Sequence, residues 1–302
     1  MIPASFIKEQ AAAVGFDACG VAEAAMLSKE EFMLEEWLDA GFNAGMDYMQ
    51  RNVAMRQDPR LLVEGARSVI SVLLAYKPDR RIESARKIAQ YAYGEDYHER
   101  LKRMLYQLIT RVSEHYPEFE ARPFVDTAPI SDRHWAARAG LGWLGKNTLL
   151  VNPRFGSYCF IGELVTTAVV DVYDTPLPDG CGDCSRCVDA CPNRAIVHRV
   201  GESYHVDARR CTSYNTIENR DSELPSQLDT RGYVFGCDIC QLACPYNEQA
   251  PASMPLGNDR KAELESLPDA DETTFRHAIK HSAMNRINYA QWRRNVDYSS
   301  EN

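Results

Sequence analysis

Eight of the ten cysteines lie between Cys181 and Cys244, and no other feature restricts the chain so sharply. The first run reads Cys181-Gly-Asp-Cys184-Ser-Arg-Cys187-Val-Asp-Ala-Cys191-Pro192. The second reads Cys237-Asp-Ile-Cys240-Gln-Leu-Ala-Cys244-Pro245, and Cys211 stands alone between the two. C-x2-C-x2-C-x3-C-P is a spacing in which thiolates hold [4Fe–4S] clusters, the fourth cysteine of a run serving the other cluster. The second run lacks its first cysteine, and Cys211 is the obvious substitute. Two clusters need eight thiolates. Cys181, Cys184, Cys187 and Cys244 are therefore expected to hold one, and Cys191, Cys211, Cys237 and Cys240 the other. Pro192 and Pro245 are expected to stop a short helix after each fourth ligand.

Two blander uses of the cysteines compete with this. Zinc also takes four thiolates, but its ribbons pair two C-x2-C knuckles and do not use a four-cysteine run ending in proline. Disulfides are disfavoured because the N-terminus lacks the basic, apolar and small-residue sequence of an export signal. A cytoplasmic iron–sulfur protein is expected. No run nears the roughly 18 apolar residues that cross a bilayer. The net charge of -9 argues against indiscriminate nucleic-acid binding, although not against a local basic surface.

Upstream of the cysteines, helices alternate with strands. Pro3–Val14 reads as a helix stopped by Gly15, and Asp17–Val21 as a short strand. Ser28 should cap a helix through Leu38, with Glu31 completing a capping box and Gly41 ending it. Ser68–Tyr76 is a buried strand, Glu95–Tyr116 a long amphipathic helix, and Phe119–Val125 and Leu164–Val172 further strands. This alternation predicts an α+β fold: a layered N-terminal domain over residues 1–172, a two-cluster module over 173–254, and a basic helical segment over 255–302. Glu263–Glu272 reads as an acidic, turn-rich connector. Cys19 and Cys159 are expected to be buried and inert.

Three further stretches stand out. Phe124–Gly162 carries Asp126 at a strand exit, where loops bear chemistry, and then Gly140, Gly142 and Gly145 around Trp143. Those glycines suggest backbone approaching something large. Asp126 serves equally well as a turn carboxylate at this point. Tyr91, Tyr93, Tyr97 and His98 could line a pocket for a planar group or form the polar rim of a core. Phe275–Val296 holds Arg276, Lys280, Arg286, Arg293 and Arg294 without an acidic residue. With Tyr289 and Trp292 interleaved, it suits phosphate contact and base stacking, or neutralises its own acidic protein.

Together these residues resemble the epoxyqueuosine reductases, cobalamin-dependent iron–sulfur enzymes of tRNA modification, and more distantly the corrinoid reductive dehalogenases. The carriers are Tyr91-Ala-Tyr-Gly-Glu-Asp-Tyr97-His98, Val125-Asp126-Thr127-Ala-Pro129, Ala139-Gly-Leu-Gly-Trp-Leu-Gly-Lys146-Asn147-Thr148 and the split cysteine module. The resemblance covers most of the chain, though many members continue into helical repeats beyond the point where this sequence stops. It implies a cobalamin in the N-terminal domain against the cluster module, and reduction of epoxyqueuosine to queuosine at the wobble position of tRNA by cob(I)alamin. The epoxide oxygen would leave as water, consuming two electrons and two protons. Asp126 would be the proton donor, with a pKa raised above the usual ~3.9 by burial. Arg51, Tyr97, His98, Lys146 and Ser213 are candidate cobalamin or substrate contacts, and Arg286, Arg293 and Arg294 candidate tRNA contacts. An external low-potential electron donor and a monomer are expected. A dehalogenase-like reductase of small molecules is the alternative, and a plain electron carrier a third reading. The long chain ahead of the first cysteine tells against the last.

Overall fold

Every residue of Ser68–Ala75 is buried, so this strand must be covered on both faces. The computed structural model, which describes residues 1–28, 33–198 and 203–301, shows how. Strands β1 (Ala18–Glu23), β2 (Ser68–Ala75), β3 (Ala121–Val125) and β4 (Cys159–Thr166) form one sheet in the order β1-β2-β4-β3. All three pairings are antiparallel. Because side chains alternate across a strand, Ile70, Val72, Leu74 and Leu164 face one way. They meet Ile7 of α1 (Ala4–Val14) and Leu101, Leu105 and Leu108 of α2 (Tyr97–Ser113). Val69, Leu73, Phe124 and Val165 face the other way, against Trp135 and Ala136 of α3 (Asp132–Arg138). Each such leucine contributes about 1.5–3 kcal/mol by leaving water.

Local signals set the ends. Gly15 stops α1 in the left-handed region at φ 105°. Asp96 caps α2 by accepting from the His98 backbone N–H at 2.9 Å. Gly20 and Gly142 permit close approach, but of the chain to itself: a Cβ would lie 2.1 Å from Ala139 O at Gly20 and 2.4 Å from Val151 O at Gly142. The large neighbour that the glycines suggested is therefore, at these positions, the protein's own backbone.

A third core joins what the sequence divided. Ile88, Ala92 and Tyr93 pack with Val234, Phe235, Phe275, Trp292 and Val296, and Tyr233–Phe235 pairs in parallel with Lys87–Ile88. The helical segment after residue 254 thus packs into a shared core with residues of both preceding regions. Other expectations shift. The last strand is Cys159–Thr166, not Leu164–Val172, because buried Gly162 and Glu163 interrupt the apolar run that marked it. The expected connector begins inside the helix Asn258–Ser266. Pro245 opens the helix Pro245–Gln249 where the sequence suggested a stop, its missing N–H being free at that position. The helix expected from Ser28 is described from Leu34, and Glu31 of its capping box lies outside the described residues. Cys19 and Cys159 are only partly buried, packing at the edges of the two sheet cores, and burial pushes the Cys19 thiol up to about 12. Among the described residues no helix is long and apolar enough to cross a membrane.

Candidate active site

Asp126 follows the last residue of β3 and turns the chain with φ 21°, a value side chains rarely adopt. Its Oδ2 accepts from the Tyr97 hydroxyl at 2.9 Å and meets His98 Nε2 at 3.1 Å. His98 Nδ1 lies 2.7 Å from Asp96 Oδ1, so the imidazole bridges two carboxylates. Tyr97 is held flat against Phe160, ring centroids 4.3 Å apart and planes within 3°. The first turn of α2 and the end of β3 thus build one constellation from residues far apart in sequence.

Its electrostatics reverse the sequence expectation. Burial alone would push Asp126 up, but the hydrogen bond and charge of His98 and the Tyr97 hydroxyl outweigh it, holding Asp126 below the usual carboxylate range. For His98 burial pulls the other way, yet the bonds to Asp126 and Asp96 raise it above the ordinary imidazole value. The proton of this pair therefore rests on His98. The Asp126 side chain is 55% exposed, so covering it would shift the balance back toward the acid.

The surroundings form a cleft. A cavity of about 630 Å³ opens beside His98, lined among others by Met55, Lys102, Arg122 and Thr127. Tyr48 and Arg56 both lie within electrostatic reach of Asp126, and Arg56 Nε is buried without a partner. Across from them Arg286 pairs with Glu218 through two 2.9 Å contacts and stands over the Tyr48 ring. The segment before Tyr48 docks on the cysteine module: Gly45 N–H donates to Tyr214 Oη at 2.8 Å, and Trp37 Nε1 to Val206 O at 2.7 Å.

The cysteines gather into two sets. Cys187 has Cys181 and Cys244 as electrostatic neighbours, and Cys244 has Cys181 and Cys184. Cys237 has Cys211 and Cys191, and Cys240 has these together with Cys237 and, from the first set, Cys187. Donors point at the sulfurs, including Trp143 Nε1 to Cys181 at 3.4 Å and Ala195 N–H to Cys191 at 3.2 Å. The Ser213 and Tyr214 amides of the helix Thr212–Ile217 serve Cys211 in the same way. The second set adjoins the loop that leads to Tyr97 and His98: Gly236 lies against Ala89 and Tyr91, and Asp238 accepts from Gln90. The first set borders a shallow surface cavity.

Several residues singled out in the sequence sit elsewhere. Lys146 donates to Gly182 O at 2.7 Å, on the first cysteine set and away from Asp126. Arg51 is exposed, and Ser213 is the second residue of the helix that Cys211 precedes. Arg294 donates to the carbonyls of Asn219, Asp221 and Asn215, and Arg293 to Pro268 O and Asp297, so both brace the fold instead of offering free donors. Trp292 is fully buried and stacks on Phe275, so it cannot meet a base. Of the three arginines, Arg286 is the one within electrostatic reach of Asp126. Sequence reasoning missed Asp96, Tyr48, Arg56 and Glu218. Asp96 could have been found as the N-cap beside His98, whereas nothing local marks the others.

Residues 56–127 match the family described as epoxyqueuosine reductase QueG, DUF1730, and residues 180–247 the 4Fe-4S double cluster binding domain. An epoxyqueuosine reductase of Cellulophaga algicola is 42% identical, the alignment covering 97% of this chain and 96% of the relative. The chain belongs to the epoxyqueuosine reductase family. A member from Leadbetterella byssophila is 41% identical, with 98% and 97% covered. The solved epoxyqueuosine reductase from Streptococcus thermophilus superposes on this family member with a TM-score of 0.83 at 30% identity, covering 98% of this chain and 80% of the other. A further structure, at 25% identity and TM-score 0.81 with the same coverage, is of an epoxyqueuosine reductase with an epoxyqueuosine-modified tRNA-Tyr stem loop.

Proposed function

We propose that the protein reduces epoxyqueuosine in tRNA to queuosine, and that the Asp126–His98 pair supplies the proton for the departing oxygen. The observation carrying this reading is the carboxylate between two residues that line the cleft, Val125 and Thr127, bonded to Tyr97 and to a histidine that is itself anchored by Asp96. Full-length relatives of about two-fifths identity bear the same activity in their names, which favours it over a dehalogenase acting on small molecules.

The residues fit the groups this chemistry needs. Two thiol sets with N–H donors aimed at the sulfurs suit two [4Fe–4S] clusters: Cys181, Cys184, Cys187 and Cys244 for one, Cys191, Cys211, Cys237 and Cys240 for the other. The unpartnered Arg56 Nε and the exposed Tyr48 and Met55 beside Asp126 suit the polar rim and apolar face of a corrin. When bound, the clusters and cobalamin supply low-potential electrons and a reducible cobalt, chemistry that side chains lack. The protein's own part is to hold the proton. Tyr97 fixes the Asp126 carboxylate, His98 keeps the proton on its ring, and Asp96 orients that ring. A group covering Asp126 removes water from its exposed side, raises its pKa and draws the proton toward Oδ2 for transfer.

Arg286, over the Tyr48 ring, is the phosphate contact in this reading, Arg51 and Ser213 border the cofactor, and an external reductant in the cytoplasm delivers electrons. The test is anaerobic incubation of reconstituted protein with cobalamin, reductant and tRNA carrying epoxyqueuosine, followed by mass analysis of the nucleosides. Loss of one oxygen is expected; an intact epoxide would overturn the reading.

A further inference from the structure

Resting on the cluster assignment proposed above, we propose that Trp143 tunes the reduction potential of the cluster on the first cysteine set, through a hydrogen bond from its indole N–H to the Cys181 sulfur. This is the outer cluster, since its cysteines border a surface cavity. Trp143 Nε1 stands 3.4 Å from Cys181 Sγ, and the side chain is buried. A buried N–H as a rule has a partner, and here the partner is sulfur. The backbone beside Cys181 is otherwise engaged. The amides of Cys181 and Gly182 donate to the Asp179 carboxylate at 2.9 and 3.3 Å. Cys187 has a backbone donor in Val188, and Cys244 has donors in Tyr246 and Asn247. Among the described residues, Trp143 is the side chain whose N–H is bonded to a cysteine sulfur.

The chain is built to hold the indole there. Trp143–Leu144 pairs antiparallel with Leu150–Val151, Trp143 opposite Val151. Gly142 lets that partner close in, as its Cβ would lie 2.4 Å from Val151 O. A Cβ at Gly180, the residue before Cys181, would lie 2.4 Å from Trp143 Cζ2, so any larger residue would strike the ring. Tyr246, just beyond Cys244 and Pro245, meets the indole edge-on at 4.9 Å. Its hydroxyl donates to Gly180 O at 3.2 Å. Both ends of the first cysteine set therefore grip the ring, and the glycines around Trp143 serve to seat it against a thiolate. Uptake of one electron from the external reductant leaves more negative charge on the ligand sulfurs, with no bond formed or broken. An N–H donor to sulfur favours that reduced form and raises the potential. The Asp179 carboxylate acts in the opposite sense, which leaves the indole to offset it.

The test uses the full-length, cluster-loaded protein, as wild type and as W143F, titrated anaerobically against potential with electron paramagnetic resonance as the readout. W143F keeps a flat ring at the site but has no N–H. One of the two one-electron waves should move to lower potential and the other should stay. At a fixed potential the ratio of reduced to oxidised centre should fall about three- to tenfold, tenfold being about 59 mV for one electron. The sign separates this from a merely structural role. A looser pocket would admit water, which favours the more charged form and would raise the potential. A second measurement needs no substitution. Of the four tryptophans, Trp37 donates to Val206 O, and Trp135 and Trp292 have no partner for Nε1. Wild type with isotopically labelled indole nitrogen should show, in pulsed resonance of the reduced protein, a nitrogen coupling from Trp143. If W143F does not take up iron, that coupling decides. Iron-replete W143F with both waves unmoved or one moved upward, or wild type without the coupling, would overturn this proposal alone. Wild type holding zinc, or iron for fewer than two clusters, would overturn the cluster assignment and this proposal with it.

Discussion

The backbone N–H of Gln90 donates to the carboxylate of Asp238 at 2.9 Å, with both residues buried. Asp238 sits between Cys237 and Cys240, and Gln90 opens the loop that leads to Tyr97 and His98. Gln241 extends the joint by accepting from Tyr76 and Ser157 through Oε1. The cysteine module and the proton-bearing loop are therefore fastened by the same buried polar network.

Asp238→Ala leaves the Gln90 N–H without its acceptor and should cost about 1–3 kcal/mol, more if neighbouring bonds also fail. Chemical denaturation with iron content measured in parallel checks this. A stable variant with full iron and an unchanged midpoint would show that the joint is incidental.

Asp126→Asn should reduce turnover by about 10²–10⁴ while leaving iron content and corrin binding intact. Wild-type activity should fall as pH rises through the elevated His98 value, above 6.5, because the proton is then lost. The stability contributed by His98 follows the same sign: full below the unfolded imidazole value and lost above the folded one. His98→Asn should flatten both curves, as read by rate and melting temperature across pH 5.5–8.5.

Cys211→Ser and Cys244→Ser should each remove half of the iron, but from different clusters. Electron paramagnetic resonance of the reduced proteins should then show two distinct residual signals. Identical residual spectra would disprove the crossed wiring.

Arg294→Ala should destabilise the fold by roughly 1–3 kcal/mol, since three carbonyls lose a charged donor. Arg286→Ala should instead weaken anticodon stem-loop binding and shallow its dependence on salt by about one unit of slope. Melting curves and salt titrations separate the two roles.

Gly20→Ala places a methyl group 2.1 Å from Ala139 O, a backbone atom with nowhere to go. Since overpacking typically costs about 1–3 kcal/mol where neighbours yield, this substitution should exceed that range, seen as loss of soluble protein or a sharply lowered melting temperature.

What could be read in advance was whatever is local. Cysteine spacing, the Gly15 stop and the buried run of β2 are written in neighbouring residues, and the Asp126 loop was marked by its own motif. The charge state of Asp126 was not legible, because it depends on His98, which α2 delivers from 28 residues away. The basic C-terminal stretch misled for a related reason. Read alone it has no acids, but Arg293 finds Pro268 O and Asp297, and Arg294 finds carbonyls at 215–221, only after folding. Glu163 escaped notice because a carboxyl in the middle of a buried strand contradicts every patterning rule that locates strands.

The two thiol sets differ in what stands between them and water. Around the first, Gly182, Asp183, Ser185 and Arg186 are exposed; around the second, Thr212, Asn215 and Asp238 are buried. Dioxygen reaches an iron–sulfur centre by the thinnest wall, so air damage should begin at the outer cluster. An oxidised sample would then still look folded and still grip its RNA, yet be severed from its fuel.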